Sequence, residues 1–143
     1  MSADEIRSDI AEGYYVCSIS NESFSKTRLW RDTQSAPPLS VENAIRSATR
    51  WINREREGDK LISWKVHHIE ITRKSSADWY YIVTFRSQLK PTSKPNVAVS
   101  GGPGLLGRDS DLRVPVFMDG SIPKMSFHRY SDRLLEIIEG LRN

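Results

Sequence analysis

Residues 63–73 read SWKVHHIEITR, and their alternation changes phase in the middle. Trp64 and Val66 share one parity; Ile69 and Ile71 share the other. Successive side chains of a strand point to opposite faces. A regular strand would therefore split these four apolar residues between two surfaces. One extra residue at His67-His68, a β-bulge, returns all four to one face. The next segment, WYYIVTFR at 79–86, alternates without interruption. Trp79, Tyr81, Val83 and Phe85 form one face, and Tyr80, Ile82, Thr84 and Arg86 the other. The link at 74–78 is short and polar, so the two segments are expected to form an antiparallel hairpin.

Upstream of the hairpin lies the clearest helical pattern. Ser40 follows Pro37-Pro38 and is a good N-cap. Val41, Ala44, Ile45, Ala48, Trp51 and Ile52 then form one apolar stripe at the helical period, with Gly58 as the expected terminator. Before the helix, YYVCSIS at 14–20 alternates like a strand. Residues 2–12 place Ile6 and Ile10 one helical turn apart, which suggests a short helix. The polar stretch 21–38, broken by Phe24, Leu29 and Trp30, reads as a loop that drops one or two aromatic anchors onto the core. Downstream, LRVPVFM at 112–118 turns Leu112, Val114, Val116 and Met118 inward. Pro115 would face outward, at an edge or a bulge. Asp119-Gly120 is expected to turn the chain into a short return strand over 121–125. Leu134, Leu135, Ile137, Ile138 and Leu141 then suggest a C-terminal helix near 131–141.

The fold class is therefore α+β: one main helix packed on a curled antiparallel sheet of about four strands, plus a C-terminal helix. The 143 residues suit one domain. Its parts are an N-terminal strand and loop (1–38), a helix and hairpin (39–88), a long flexible loop (89–111), and a last hairpin with the C-terminal helix (112–143).

The net charge of +3 permits an acidic partner but is far from the charge of a dedicated DNA binder. A single cysteine, Cys17, excludes an intrachain disulfide and a multi-cysteine zinc site. No apolar run is long enough to span a membrane. The first residues lack the basic-then-apolar layout of a signal peptide. The expected location is periplasmic or secreted if an export signal was trimmed, and cytoplasmic otherwise.

The sequence GPGLLG at 102–107 fits the glycine pattern of dinucleotide-binding turns. That pattern works only where it opens a helix, whose amides hold the pyrophosphate. Here RDSDLRVPVFMDG follows, with strand alternation, a proline and two aspartates, so no nucleotide is expected. His67 and His68 would point to opposite faces of a regular strand and cannot share one metal there. Asp109-Ser110-Asp111 lacks the other positions of a calcium loop. Cys17 has no basic neighbour in its strand to activate it. Neither a cofactor nor a metal is expected. The candidate partner surface is the arginine row Arg46, Arg50 and Arg54, joined by Tyr80 and Arg86 on the outward sheet face. Acidic Glu42, Glu55 and Glu57 interleave with the row, so an ordinary solvated face competes with this reading.

The segments PPLSVENAIRSA, the strand with Trp64 and Val66, WYYIVTF and VPVFMDGSIPK resemble PepSY-type and broader cystatin-like modules, over residues 38–125. The resemblance implies a helix on an antiparallel sheet and a non-catalytic, often exported, binding or inhibitory role. The sequence departs from those modules at Asp119-Gly120, which are adjacent. It departs again at RKSSAD (73–78), where protease-inhibiting cystatins carry Q-x-V-x-G, and in the long glycine loop. The expected function is a non-catalytic binding or interaction module, with another protein as partner and the bacterial cell envelope as one setting. The alternatives are a basic-surface nucleic-acid-binding domain and a cone-shaped α+β pocket that binds or transforms a small molecule.

Overall fold

The computed structural model describes residues 4–24, 30, 35–75, 78–90, 110–131, 133, 134, 136 and 137. Its elements are β1 (Asp4–Ile10), β2 (Gly13–Ile19), a 3-10 turn (Asn21–Phe24), α1 (Val41–Glu55), β3 (Ile62–Ser75), β4 (Asp78–Leu89), β5 (Asp111–Phe117) and β6 (Ser126–Arg129). The class is α+β, with one helix among these elements. The strands form two antiparallel sheets of three, ordered β1-β2-β6 and β3-β4-β5, rather than one sheet of about four.

Helix α1 starts where its sequence dictates. Ser40 Oγ accepts the Asn43 main-chain N–H at 3.2 Å, so one otherwise orphaned donor is satisfied. Ala44, Ala48 and Ile52 are buried, and Trp51 packs beside them. The helix ends at Glu55 with Arg56 as its cap, the Arg56 N–H donating to Ile52 O. Gly58 lies in the turn that follows and does not end the helix.

The hairpin β3–β4 has the expected bulge. Val66 faces Phe85 and His68 faces Thr84, with the register shifting between them. Trp64, Val66, Ile69 and Ile71 thus lie opposite Ser87, Phe85, Val83 and Tyr81, on one face. Trp64 and Ile69 pack into the core under α1, together with Val83, Phe85, Val114, Val116 and Trp51. Val66 and Ile71 stay substantially exposed because β3 is the outer strand of its sheet.

The other face of β4 is not outward. Tyr80, Ile82 and Thr84 are buried, and a second apolar cluster joins Tyr80, Ile82 and Phe117 to Ile6, Cys17, Ile19 and Phe24. Sheet β1-β2-β6 thus covers the back of the first sheet at one end. At its other end it contributes Ile10 and Tyr15 to the core under α1. Residues 4–10 form a strand, not the expected helix, because Ile6, Ser8 and Ile10 are all buried at a period of two.

The two sheets meet along β5 and β1, which approach each other without a ladder. The main-chain N–H of Arg113 points away from β4, to Ser8 Oγ at 2.9 Å. That of Phe117 donates to Ser121 O at 2.8 Å. Pro115, two residues from each, faces the same edge with a nitrogen that cannot donate. It is buried rather than outward, yet it obeys the rule that keeps proline off laddered edges. Gly120 follows with φ +86°, and its N–H closes the turn onto Phe117 O. No return strand occupies 121–125. The chain runs extended to β6, which pairs with β2 instead of β5. Gly13 is required at that pairing, since a Cβ there would meet His128 O at 2.3 Å.

Of the connection expected over 89–111, residues 91–109 lie outside the described residues, and with them the glycine motif at 102–107. Of the C-terminal helix expected near 131–141, only Arg133, Leu134, Glu136 and Ile137 are described beyond Ser131. They have helical backbone geometry but do not make up an element.

Candidate functional site

The arginine row follows from the helical repeat: residues four apart lie on one side of α1. Arg46, Arg50 and Arg54 are all exposed. Arg46 donates to Asn43 Oδ1 at 3.1 Å, one turn back. Arg50 and Arg54 make no hydrogen bond and no ion pair among the described residues. Arg73 and Arg129 likewise hold no carboxylate among the described residues, whereas Arg7, Arg56, Arg86 and Arg113 each do.

Arg50 and Arg54 edge an open cleft of about 360 Å³. Ser47 and Trp51 extend it along the helix, and Gly120 and Ile122 close the opposite side. The turn after β5 brings in that second wall. The Trp51 ring is fixed from beneath by an edge contact to Tyr15, at 5.7 Å between centroids. Ser47 Oγ would lie 3.5 Å from a Cβ at position 120, so a side chain there would narrow the cleft. The arrangement offers two guanidinium forks, one hydroxyl and an apolar floor. Such forks match carboxylates and phosphates in a bidentate manner.

The other two members of the expected surface do not join it. Tyr80 is 3% exposed, packed against Phe24 and Phe117 at the back of the sheet. Its burial between two sheets removes it from any partner surface. Arg86 pairs with Asp111 through two hydrogen bonds of 2.9 and 3.2 Å, and this neighbour draws the Asp111 carboxyl below its usual range.

A second polar cluster lies at the C-terminal end of α1. Arg56 donates to both oxygens of Asp59, at 2.8 and 2.9 Å, and pairs with Glu12. Tyr15 Oη donates to Glu55 at 3.1 Å, and Trp64 Nε1 donates to Asp59 at 3.0 Å. Burial opposes the Arg56 charge, but its bonds to Asp59, Glu12 and Tyr15 outweigh that and hold its pKa above the usual value. Together these bonds make a clasp. The clasp ties the β1–β2 turn to α1 and to β3.

The remaining chemical candidates are also accounted for. His68 Nε2 lies 3.3 Å from Thr84 Oγ1, and no group of three or more potential metal ligands exists among the described residues. Cys17 is buried, which pushes its thiol up to about 11, the opposite of an activated nucleophile. On the outer face of sheet β1-β2-β6, Tyr14 is covered by the Arg7 guanidinium at 3.8 Å and stacks on His128 at 4.9 Å. Its ring faces are taken, so a base has no free platform there. No described helix is long and apolar enough to cross a membrane.

Sequence reasoning found the arginines but not Ser47, Gly120 and Ile122. Those residues complete the cleft only once the turn after β5 folds back on α1. The chain matches no family model, no curated protein and no solved structure.

Proposed function

We propose that this protein is a non-catalytic interaction module that receives an acidic segment of a partner protein in the cleft beside α1. The observation that carries this reading is the pair Arg50 and Arg54, uncompensated among the described residues while four other arginines are matched to carboxylates. Two guanidinium groups beside Trp51 and Ile122 suit carboxylates interspersed with apolar side chains. A continuous phosphate backbone would call for a wider basic surface, and the net charge is only +3. The helix packed on β3, β4 and β5 is what supports the cystatin-like and PepSY-type likeness, and that likeness belongs to the same proposal.

Fluorescence anisotropy with a labelled oligoglutamate peptide containing leucines tests this, alongside a single-stranded oligothymidylate of equal charge. The peptide is expected to bind, to weaken with salt, and to be lost in Arg50→Glu/Arg54→Glu. The melting temperature of that variant should stay close to wild type, because exposed charges contribute little to stability. Tighter binding of the oligonucleotide would favour the nucleic-acid reading instead. Absence of peptide binding, or equal binding by the double variant, would overturn the proposal.

A further inference from the structure

We infer a second binding site at the outer edge of β3, one that takes an extended peptide with alternating apolar side chains and an acidic residue at one end. Among the described residues β3 is laddered on one side only, to β4. Two register shifts interrupt that ladder, at Val66/His68 and at Arg73/Ser75. Between them the segment from His68 to Arg73 is regular, so its free edge presents main-chain donors and acceptors in ordinary strand geometry. Edges of this kind pair readily with another strand.

Among the described residues the face beside that edge is apolar and open, with Trp30 at its far side. Ile69, Ile71 and Tyr81 line an open groove of about 310 Å³, walled by Pro37 and Val41. Val41 is 45% and Ile71 39% exposed. The wall is held in place by Tyr81 Oη, which donates to Leu39 O at 2.6 Å. A strand laid along His68 to Arg73 would direct every second side chain toward this groove.

Charge fixes the chemistry of the occupant. Arg73 lies opposite Trp79, on the groove face, with its guanidinium 5.2 Å from that ring's centroid. It has no ion pair among the described residues. At the other wall stands the N-terminus of α1, whose dipole is positive. Glu70, the acid of this segment, is engaged by Arg113 at 3.2 Å. The groove therefore complements two apolar side chains followed by a carboxylate at the Arg73 end. This site lies at the start of α1, and its existence is independent of the arginine cleft.

The probe is a fluorescein-labelled hexapeptide of alternating valine and threonine ending in glutamate, titrated by anisotropy. Its twin ends in lysine. Wild type should prefer the glutamate peptide, and Arg73→Glu should reverse the preference, each by about tenfold if one charge pair contributes near 1.4 kcal/mol. Val41→Asp should abolish both while the protein stays folded, since that side chain is exposed. Amide exchange should slow at residues 68–73 on binding. Failure of wild type to bind either peptide would overturn the inference, as would equal binding of both by wild type and Arg73→Glu. Concentration-dependent dimerisation lost in Val41→Asp would also overturn it, by showing that a second copy occupies the edge. Arg50→Glu/Arg54→Glu should leave hexapeptide binding intact, so the two sites fail separately.

Discussion

Ser8 Oγ accepts the main-chain N–H of Arg113 at 2.9 Å and so takes the place of a strand carbonyl at the seam between the two sheets. Ser8 is 4% exposed. The neighbouring Pro115 has no hydrogen to offer, which removes the next rung of any ladder. One side-chain bond thus does locally what a backbone ladder would do along the whole edge. In Ser8→Ala the part-buried Arg113 N–H would lose its partner, at a cost of about 1–3 kcal/mol. Urea unfolding should show that loss, and amide exchange should accelerate at Arg113 first.

Arg56 is the centre of the clasp, with its side chain 11% exposed between Glu12 and Asp59. Replacing it by methionine keeps much of the volume but removes the positive charge from both carboxylates, leaving that of Asp59 with Trp64 Nε1 alone among the described residues. Removing one partner from a buried ion pair typically costs about 3–5 kcal/mol. Arg56→Met should therefore lower the urea midpoint strongly. Arg50→Met, on the exposed row, should scarcely move it.

Cys17 gives a test in alkali. Burial holds its thiol at about 11 in the folded protein, against about 8.5 in an unfolded chain. Between those values the unfolded chain loses the proton and the folded one keeps it. The contribution of Cys17 to stability is complete below about pH 8.5 and is lost as pH rises toward the folded value. The stability of wild type should fall more steeply over this range than that of Cys17→Ala. At neutral pH a thiol reagent should modify the protein only as fast as it unfolds.

Much of this fold was legible because certain residues permit one reading only. Val66 and Ile69 cannot share a face without an extra residue between them, and the register shifts there. Ser40 after two prolines starts α1, as its hydroxyl predicts. The misreadings share a different cause. Ile6 and Ile10 suit a helix and a strand equally; Ser8 decides between them, and its burial depends on the distant Arg113. Tyr80, Ile82 and Pro115 looked outward because alternation shows that a strand has two faces, not that another sheet covers the second. Of the site, the arginine row was readable from spacing alone. Its far wall, Gly120 and Ile122, was not, because a tertiary turn carries it there.

The seam also orders the assembly of the molecule in time. The bond between Ser8 and Arg113 joins positions 105 residues apart, and β2 with β6 spans a similar separation, whereas β3 and β4 are consecutive strands. Contacts this remote are entropically costly until the intervening chain is compact. The local elements, α1 and the hairpins β1–β2 and β3–β4, are therefore expected to form before the seam closes and β6 joins β2. Ser8→Ala should then raise the rate of unfolding and leave the rate of folding almost unchanged, while substitutions in the β3–β4 hairpin should slow folding, as stopped-flow measurements in urea would show. On that expectation the seam governs how long the native state lasts, and the local hairpins govern how fast it is reached.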